Sequence, residues 1–270
     1  MVKRIVILTF AGIFILFSIL LVFICIQYQQ LKPDYSEKTE IEGINSQVSI
    51  VWDSSGVVHI SGQQELDVIF ASGYVSARER LWQMELMRRL AKGRLSEIFG
   101  SETIAIDKLS LILSLDSLAH SHYEELSEQS KRWLEKYAQG INAYLTQIGN
   151  DLPMEFILMD FIPETWSPQD CMLQNRLMGW FLNFNWKADV LYWGLASALP
   201  EEKFQEIWPE WADYPHIING TGTKKFFGQL SQIQEKMAEI LGVGQVYAGS
   251  NSWVVSPQMS RSGSSMLAND

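Results

Sequence analysis

The N-terminal region carries the most uniform apolar pattern in the chain. After two basic residues, Ile5–Leu31 has no charged side chain and is strongly apolar as far as Ile26. A helix of about 20 apolar residues spans the hydrocarbon core of a bilayer, and basic residues before it favour the cytoplasmic side. We therefore predict a transmembrane signal-anchor, a single-pass membrane location and an extracytoplasmic remainder. A cleaved signal peptide, and hence a secreted form, is the alternative, although no A-x-A-like exit follows the run.

Beyond this run, the spacing of hydrophobic positions changes from strand-like to helix-like. Residues 32–47 are polar and rich in turn formers, which predicts a linker. Two short β-prone runs flank Asp53–Gly56, and this pattern is typical of a hairpin. Over Leu66–Lys92 the apolar residues recur every three or four positions. This spacing predicts a helix that ends at Gly93.

Four further segments have readable patterns. An apolar stripe at helical spacing predicts a second long helix over 123–149. Three prolines in 152–170 predict an irregular connection, and this connection leads into a helix over 171–199. A short amphipathic helix is predicted over 229–242. The chain therefore has the pattern of a mainly helical protein with a few strands.

Charge and composition limit the classes of partner. The 270 residues carry a formal charge of −10, with 31 acidic and 21 basic side chains. A nucleic-acid-binding protein needs a basic face, so we expect no nucleic-acid partner. Several arginines do cluster in the Leu66–Lys92 helix, where Glu85 and Arg89 lie one turn apart. We expect these two residues to pair on a solvent-exposed face.

The stretch "GSNSW" at 249–253 places small polar residues directly before a strand-like run. A serine in this position is usually a turn or cap residue, and the second glycine of the G-x-S-x-G nucleophile elbow is absent. A serine can also be a nucleophile when it is the first residue of a chain. Its own α-amine, whose unperturbed pKa is about 8, then accepts the hydroxyl proton. That chemistry requires a cut between Gly249 and Ser250, and the residues alone leave both interpretations open.

Five segments of the chain resemble one enzyme family. They are "VWDSSGVVHI" (51–60), the long block 67–100, "LPMEFILMDFIPETWSPQD" (152–170), "GSNSWVV" (249–255) and "MLAND" (266–270). In these segments and their order, the chain is similar to the penicillin acylase (penicillin amidase) family of N-terminal-nucleophile hydrolases. The resemblance implies an α+β fold, the four-layer αββα sandwich. This chain would hold mainly the helical α chain and the first β-chain strands.

The resemblance also implies a reaction. Family members are exported precursors that cut themselves before a serine, which implies Gly249 and Ser250 as the autoprocessing pair. Ser250 is then the catalytic nucleophile and, through its amine, the base in the hydrolysis of a small linear acyl amide. An acyl-homoserine-lactone acylase, with the same chemistry on a lipid-like acyl chain, is one alternative. A non-catalytic membrane-anchored remnant is another.

A metal site is implied in the same way. The family has a structural calcium ion with an acidic α-chain ligand, and Asp189 in "NWKAD" falls where the family usually has Glu. The resemblance therefore implies Asp189 as a calcium ligand, and the alternative is a surface acid on a helix. No organic cofactor is expected.

The implied domain order is a signal-anchor at 1–31, a linker at 32–47, an α-chain region at 48–212, a spacer at 213–249 and the start of the β chain at 250–270. Family precursors continue for several hundred residues beyond the serine. We therefore expect a truncated precursor that lacks most of its own β chain and is inactive as given. The missing part contains the oxyanion-hole donors, each of which contributes roughly 10²–10³ in rate. The first β-chain strand should also lack sheet partners and expose apolar side chains.

Overall fold

The computed structural model describes residues 2–30, 38, 40–183, 185–207, 223–240 and 252–269. Within these residues the chain is mainly helical and has two antiparallel hairpins. The helices are α1 (Val2–Gln30), α2 (Glu65–Lys92), α3 (Ser96–Phe99), α4 (Ile104–Leu113), α5 (Leu115–Glu124), α6 (Glu128–Ile148), α7 (Met154–Leu158), α8 (Pro168–Leu182), α9 (Asn185–Ala198), α10 (Glu201–Ile207) and α11 (Thr223–Ile240), with a 3₁₀ turn at Gly100–Thr103. The strands are β1 (Val48–Trp52), β2 (Val58–Gly62), β3 (Ser252–Val255) and β4 (Met266–Asn269).

The chain divides into two compact units. The first is formed by Met1–Glu85 and His120–Met172, and the second by Leu86–Ala119 and Leu173–Asp270. Each unit has its own buried apolar side chains. The two units are therefore described separately.

The N-terminal apolar run forms helix α1. A membrane-spanning helix needs about 20 predominantly apolar residues in succession. In the part of the chain that the structure describes, no helix has both the length and the apolar character to cross a membrane. This finding contradicts the predicted signal-anchor and the single-pass membrane location, and with them the membrane as a partner.

The first unit begins with the hairpin β1–β2, as predicted. Its two strands pair antiparallel over their whole length. The Asp53 carboxylate closes the turn, because its Oδ1 accepts the N–H groups of Ser55 at 2.8 Å and Val57 at 2.9 Å. An Asp that bonds to backbone N–H groups a few residues further on is a common turn former.

The core of the first unit lies between α2, α6 and the segment that follows α6. These elements bury the apolar residues Ala77, Leu81, Met84, Ala138, Ile141, Leu152, Phe156 and Trp166. Trp82 packs edge-on against Phe156, with ring centroids 5.3 Å apart. This geometry is one that aromatic pairs favour, and it ties α7 to α2.

Helices α2 and α6 cross with their backbones in direct contact. A Cβ atom built on Gly73 would lie 2.0 Å from the carbonyl oxygen of Tyr137, and one built on Gly140 would lie 1.9 Å from that of Phe70. Glycine allows this approach because it has no side chain to separate the two backbones. The position of α6 on α2 therefore depends on this pair of glycines.

The irregular connection predicted over 152–170 is confirmed, with the short helix α7 as its regular part. Asn142 of α6 holds it in place, because its Oδ1 accepts the N–H of Trp166 at 2.7 Å and its Nδ2 donates to the carbonyl of the same residue at 2.8 Å. Pro168 is the first residue of α8, where its missing N–H leaves no helical hydrogen bond unmade.

Two helices that were predicted as continuous are interrupted. The helix predicted over 123–149 is divided between α5 and α6, since the Ser127 side chain accepts the N–H of Ser130 at 3.2 Å and caps the start of α6. The helix predicted over 171–199 is likewise two helices, α8 and α9. Asn183 lies outside both of them.

In the second unit, α2 ends one residue before Gly93, as predicted. Gly93 has a φ of +68°, a left-handed conformation that glycine adopts without strain. The chain then turns around Asp107 of α4, which is 5% exposed. Its carboxylate accepts the N–H groups of Leu95 and Ser96, both at 2.8 Å, and so fixes the start of α3.

The prediction that Glu85 and Arg89 lie on a solvent-exposed face is wrong. Their exposed fractions are 2% and 6%. The Arg89 guanidinium contacts Glu97 of α3 at 2.5 Å. Arg94 bonds to the same carboxylate at 2.7 Å. The hydrogen bond from Arg94 is the largest cause that lowers the pKa of Glu97 below its ordinary value, and Arg89 lowers this pKa further. A buried guanidinium therefore has a charged partner outside its own helix.

Asp67, in the first turn of α2, is fully buried and holds the chain that precedes β1. Its carboxylate accepts the N–H groups of Asn45 at 3.1 Å and Ser46 at 2.9 Å, and the Ser46 hydroxyl at 2.6 Å. The Ser46 hydroxyl is the largest cause that lowers the pKa of Asp67, while burial opposes it. The two N–H groups and the charge of Lys136 lower this pKa further.

Substituting Asp67→Asn is expected to lower the free energy of unfolding at neutral pH by about 2 kcal/mol, because hydrogen bonds to a charged acceptor stabilise more than neutral ones. The folded pKa lies below the unfolded value of about 3.9, so this stabilisation is present above that value and is lost as the pH falls through the folded pKa. Chemical unfolding at a series of pH values down to 3 should show a smaller acid-induced loss in the variant than in the wild type. Asp160→Asn, at an exposed position, is the matched control. An unchanged pH dependence in Asp67→Asn would contradict the prediction.

Candidate functional site

Strands β3 and β4 form a hairpin in the second unit. Strand β3 begins at Ser252, the second serine of "GSNSW". The pairing is antiparallel, and Ser252 lies opposite Asn269. Serine side chains order the connecting turn, since the N–H of Ser262 donates to Ser260 Oγ at 3.2 Å. Gly263 closes the turn with a φ of +70° and donates its N–H to the carbonyl of Ser260 at 3.2 Å. The start of β3 and the end of β4 therefore lie side by side.

Gly249 and Ser250, the predicted autoprocessing pair and nucleophile, lie outside the described residues. The structure describes the strand that follows them, because β3 begins at Ser252, two residues after Ser250. The register adds Asn269 to the residues at this end of the hairpin. Sequence alone could not have singled it out, since only the strand pairing places it opposite Ser252.

Both faces of the hairpin expose large apolar side chains. Trp253 and Val254 are successive residues of β3, so they point to opposite faces, and they are 67% and 75% exposed. Leu267 of β4 is 73% exposed. Within the described residues this sheet has two strands. This agrees with the expected exposure of a strand that lacks sheet partners.

The hairpin supplies no side chain that could act as a general base near neutral pH. Between Ser252 and Asn269 the sequence has one charged residue, Arg261, and no His, Asp, Glu, Lys, Cys or Tyr. Arginine remains protonated under all ordinary conditions. The hairpin therefore offers no base to a residue beside it.

Asp189, the predicted calcium ligand, lies in α9. Its side chain is outside what the structure describes. Among the described side chains, no group of three or more His, Cys, Asp or Glu residues is arranged to hold a metal ion. The calcium site therefore stays a prediction, and no step of the chemistry below depends on it.

The family profile described as "Penicillin amidase" matches residues 47–270 of this chain. The match includes Gly249, Ser250 and both strands of the hairpin. The chain belongs to the penicillin amidase family. This confirms the resemblance on which the predicted fold class and site residues rest.

Relatives with two different functional names have nearly the same sequence identity to the chain. It is 31% identical over 251 residues to "Acyl-homoserine lactone acylase QuiP" of Pseudomonas aeruginosa, an alignment that covers 90% of this chain and 30% of that protein. It is 30% identical over 251 residues to "Penicillin acylase 2 proenzyme" of Pseudomonas sp. (strain SE83), which covers 90% of this chain and 32% of that protein. The chain thus spans less than a third of the length of these relatives.

A solved structure supports the fold. The chain is 25% identical to a thermostable penicillin G acylase from Alcaligenes faecalis, with a TM-score of 0.51, and the match covers 65% of this chain and 98% of that chain. Together with the mainly helical architecture, this confirms an α+β chain of the N-terminal-nucleophile class.

Proposed function

We propose that this protein is an amidohydrolase that cleaves a small linear acyl amide, with Ser250 as an N-terminal nucleophile. The observation that carries the proposal is the family match, which includes both Gly249–Ser250 and the hairpin that begins two residues later. The name of one relative includes the word "proenzyme", which supports activation by a cut in the chain. The cut before Ser250 creates the base, and the partner of the α chain is then the β chain that starts at this residue.

The proposed reaction follows from the chemistry of a terminal serine. The hydroxyl oxygen of Ser250 attacks the amide carbonyl carbon, and its proton passes to the α-amine of the same residue. The amine then gives this proton to the leaving nitrogen, so that the C–N bond breaks and an ester to Ser250 remains. Water attacks the ester with the α-amine again as base, which releases a carboxylic acid and restores the hydroxyl.

Two substrate classes remain, and they differ in the acyl group and in the amine to which it is attached. One is a penicillin-type amide, and the other is an N-acyl homoserine lactone. Relatives named for each are 30% and 31% identical to the chain. The amide carbonyl is common to both classes, so the mechanism is the same and the acyl pocket must distinguish them.

A direct test uses the protein expressed from its whole natural coding sequence. Nitroanilides of an arylacetic acid and of a long-chain fatty acid both release coloured nitroaniline, so the rate with each one shows which acyl class is cleaved. Mass spectrometry of N-acyl homoserine lactones detects the free lactone amine. We expect amide hydrolysis of at least one class, with one acid released per amine. Release of a lactone-opened product without amide cleavage, or no hydrolysis by a correctly cut protein, would contradict the proposal.

A further inference from the structure

Helix α11 lies inside the segment 213–249 that the family resemblance assigns to an excised spacer. It has a well-defined apolar face, since Leu230, Ile233, Met237 and Ile240 follow one another at intervals of three and four residues. Leu230 is 7% exposed and Met237 is 2% exposed. The opposite face is polar and solvent-exposed, and includes Gln232, Glu235 and Glu239.

The apolar face packs within the second unit, where α11 contacts α4. An ion pair lies beside this contact, with Lys236 Nζ 2.8 Å from Glu102 Oε2 in the 3₁₀ turn that precedes α4. The hydrogen bond that Lys236 donates is the largest cause that lowers the pKa of the Glu102 carboxyl. Two buried side chains and an ion pair therefore link α11 to residues far away in the chain.

Removal of the predicted spacer would break the contacts of α11. The two ends of the segment 213–249 lie outside Thr223–Ile240, so cuts there would leave the helix itself whole. The excised peptide would then have to leave its contacts, which would uncover apolar surface on both α11 and the rest of the second unit. A docked α11 is therefore expected to resist removal.

From these contacts we infer that α11 is a permanent part of the folded α chain and remains bound to the rest of the second unit after maturation. The inference rests on the proposed cut before Ser250. It narrows the predicted spacer, because residues 223–240 then do not belong to the peptide that is lost. Leu230 and Met237 are the side chains that hold the helix in place, with Lys236 and Glu102 as a supporting pair.

The test is the chain inventory of the purified mature protein, obtained by intact mass and by peptide mapping. We expect peptides from 223–240 to be present in equal amount to the rest of the α chain. A protein with a β chain that starts at Ser250 but without these peptides would overturn the inference. If no chain starts at Ser250, the proposed function fails instead, and the docking of α11 is then tested on the uncut protein.

The docking of α11 is measured by amide hydrogen exchange across the helix, which reports local opening whether or not the chain is cut. We expect the double variant Leu230→Ser/Met237→Ser to exchange at least about tenfold faster across α11 than the wild type. The matched control, Gln232→Ser/Glu239→Ser on the exposed face, has the same seven-residue spacing and should stay within about twofold. Equal exchange in the two double variants, or fast exchange of α11 in the wild type, would show that the helix is not docked.

Discussion

Replacing Gly73 or Gly140 by alanine is expected to destabilise the first unit by at least about 3 kcal/mol. The new methyl group would lie 2.0 Å from the carbonyl oxygen of Tyr137 in the first case, and 1.9 Å from that of Phe70 in the second. Both obstacles are backbone atoms in helices, so no side-chain rotation relieves the clash. The helices would have to move apart, which would open the core around Ala77 and Ile141 to a loss of packing.

Denaturant unfolding, with hydrogen exchange resolved over α2 and α6, measures this effect. The control is Gly179→Ala in α8, where a Cβ atom has no neighbour within 4 Å. That change should stabilise its helix by roughly 0.5–1 kcal/mol, because alanine has the higher helix propensity. A Gly73→Ala variant as stable as Gly179→Ala would show that α2 and α6 do not cross this closely.

Replacing Ser250 by alanine is expected to abolish amide hydrolysis, with a loss on the order of 10⁴-fold or more in kcat/KM. The reason is that the attacking oxygen is removed, and both the cut that exposes the α-amine and the ester intermediate depend on it. A progress curve with the nitroanilide that the wild type hydrolyses gives the ratio. A Ser250→Ala protein that retained substantial activity would place the nucleophile elsewhere.

Ser252→Ala is the matched control, two residues further along and exposed at the start of β3. This variant also removes a serine hydroxyl from the segment but keeps Ser250. We expect its rate of hydrolysis to stay within about twofold of the wild type. The proposal gives Ser250 two roles, as nucleophile in the self-cleavage and as nucleophile in amide hydrolysis. Ser250→Cys tests the first role separately, because a thiol can also attack a carbonyl carbon. We expect this variant to retain some self-cleavage.

Local patterns in the sequence predicted the elements that depend on local chemistry. The turn at Asp53, the helical spacing of α2 and its stop at Gly93 each follow from a few neighbouring residues. The break in α2 at Arg80, where φ is −139° and ψ is 21°, has no such signal, because neither Pro nor Gly marks it.

Burial of polar groups was the main property that the sequence did not reveal. Charged residues beside an apolar stripe are usually solvated, so this rule placed Glu85 and Arg89 on the solvent-exposed face of α2. Both side chains are in fact buried. Asp67 and Asn142 are likewise ordinary residues in helical patterns, yet each bonds to backbone groups about 20 residues away. The close crossing at Gly73 depends on a second glycine in another helix, and periodicity within one helix cannot show such a pairing.

The candidate site was predicted from a different source. The residues themselves left Ser250 as either a cap or a nucleophile, and the family resemblance favoured the nucleophile. The match over residues 47–270 confirms the family, and the structure adds the hairpin register that places Asn269 beside the start of β3.

The cut before Ser250 is the central claim, and intact mass measures it most directly. The protein is expressed from its whole natural coding sequence, alongside its Ser250→Ala variant, and the mass and N-terminal sequence of each chain are determined. The account predicts a chain that begins with Ser250 in the wild type, and no such chain in the variant. A wild-type chain that remains unbroken between Gly249 and Ser250 would contradict it.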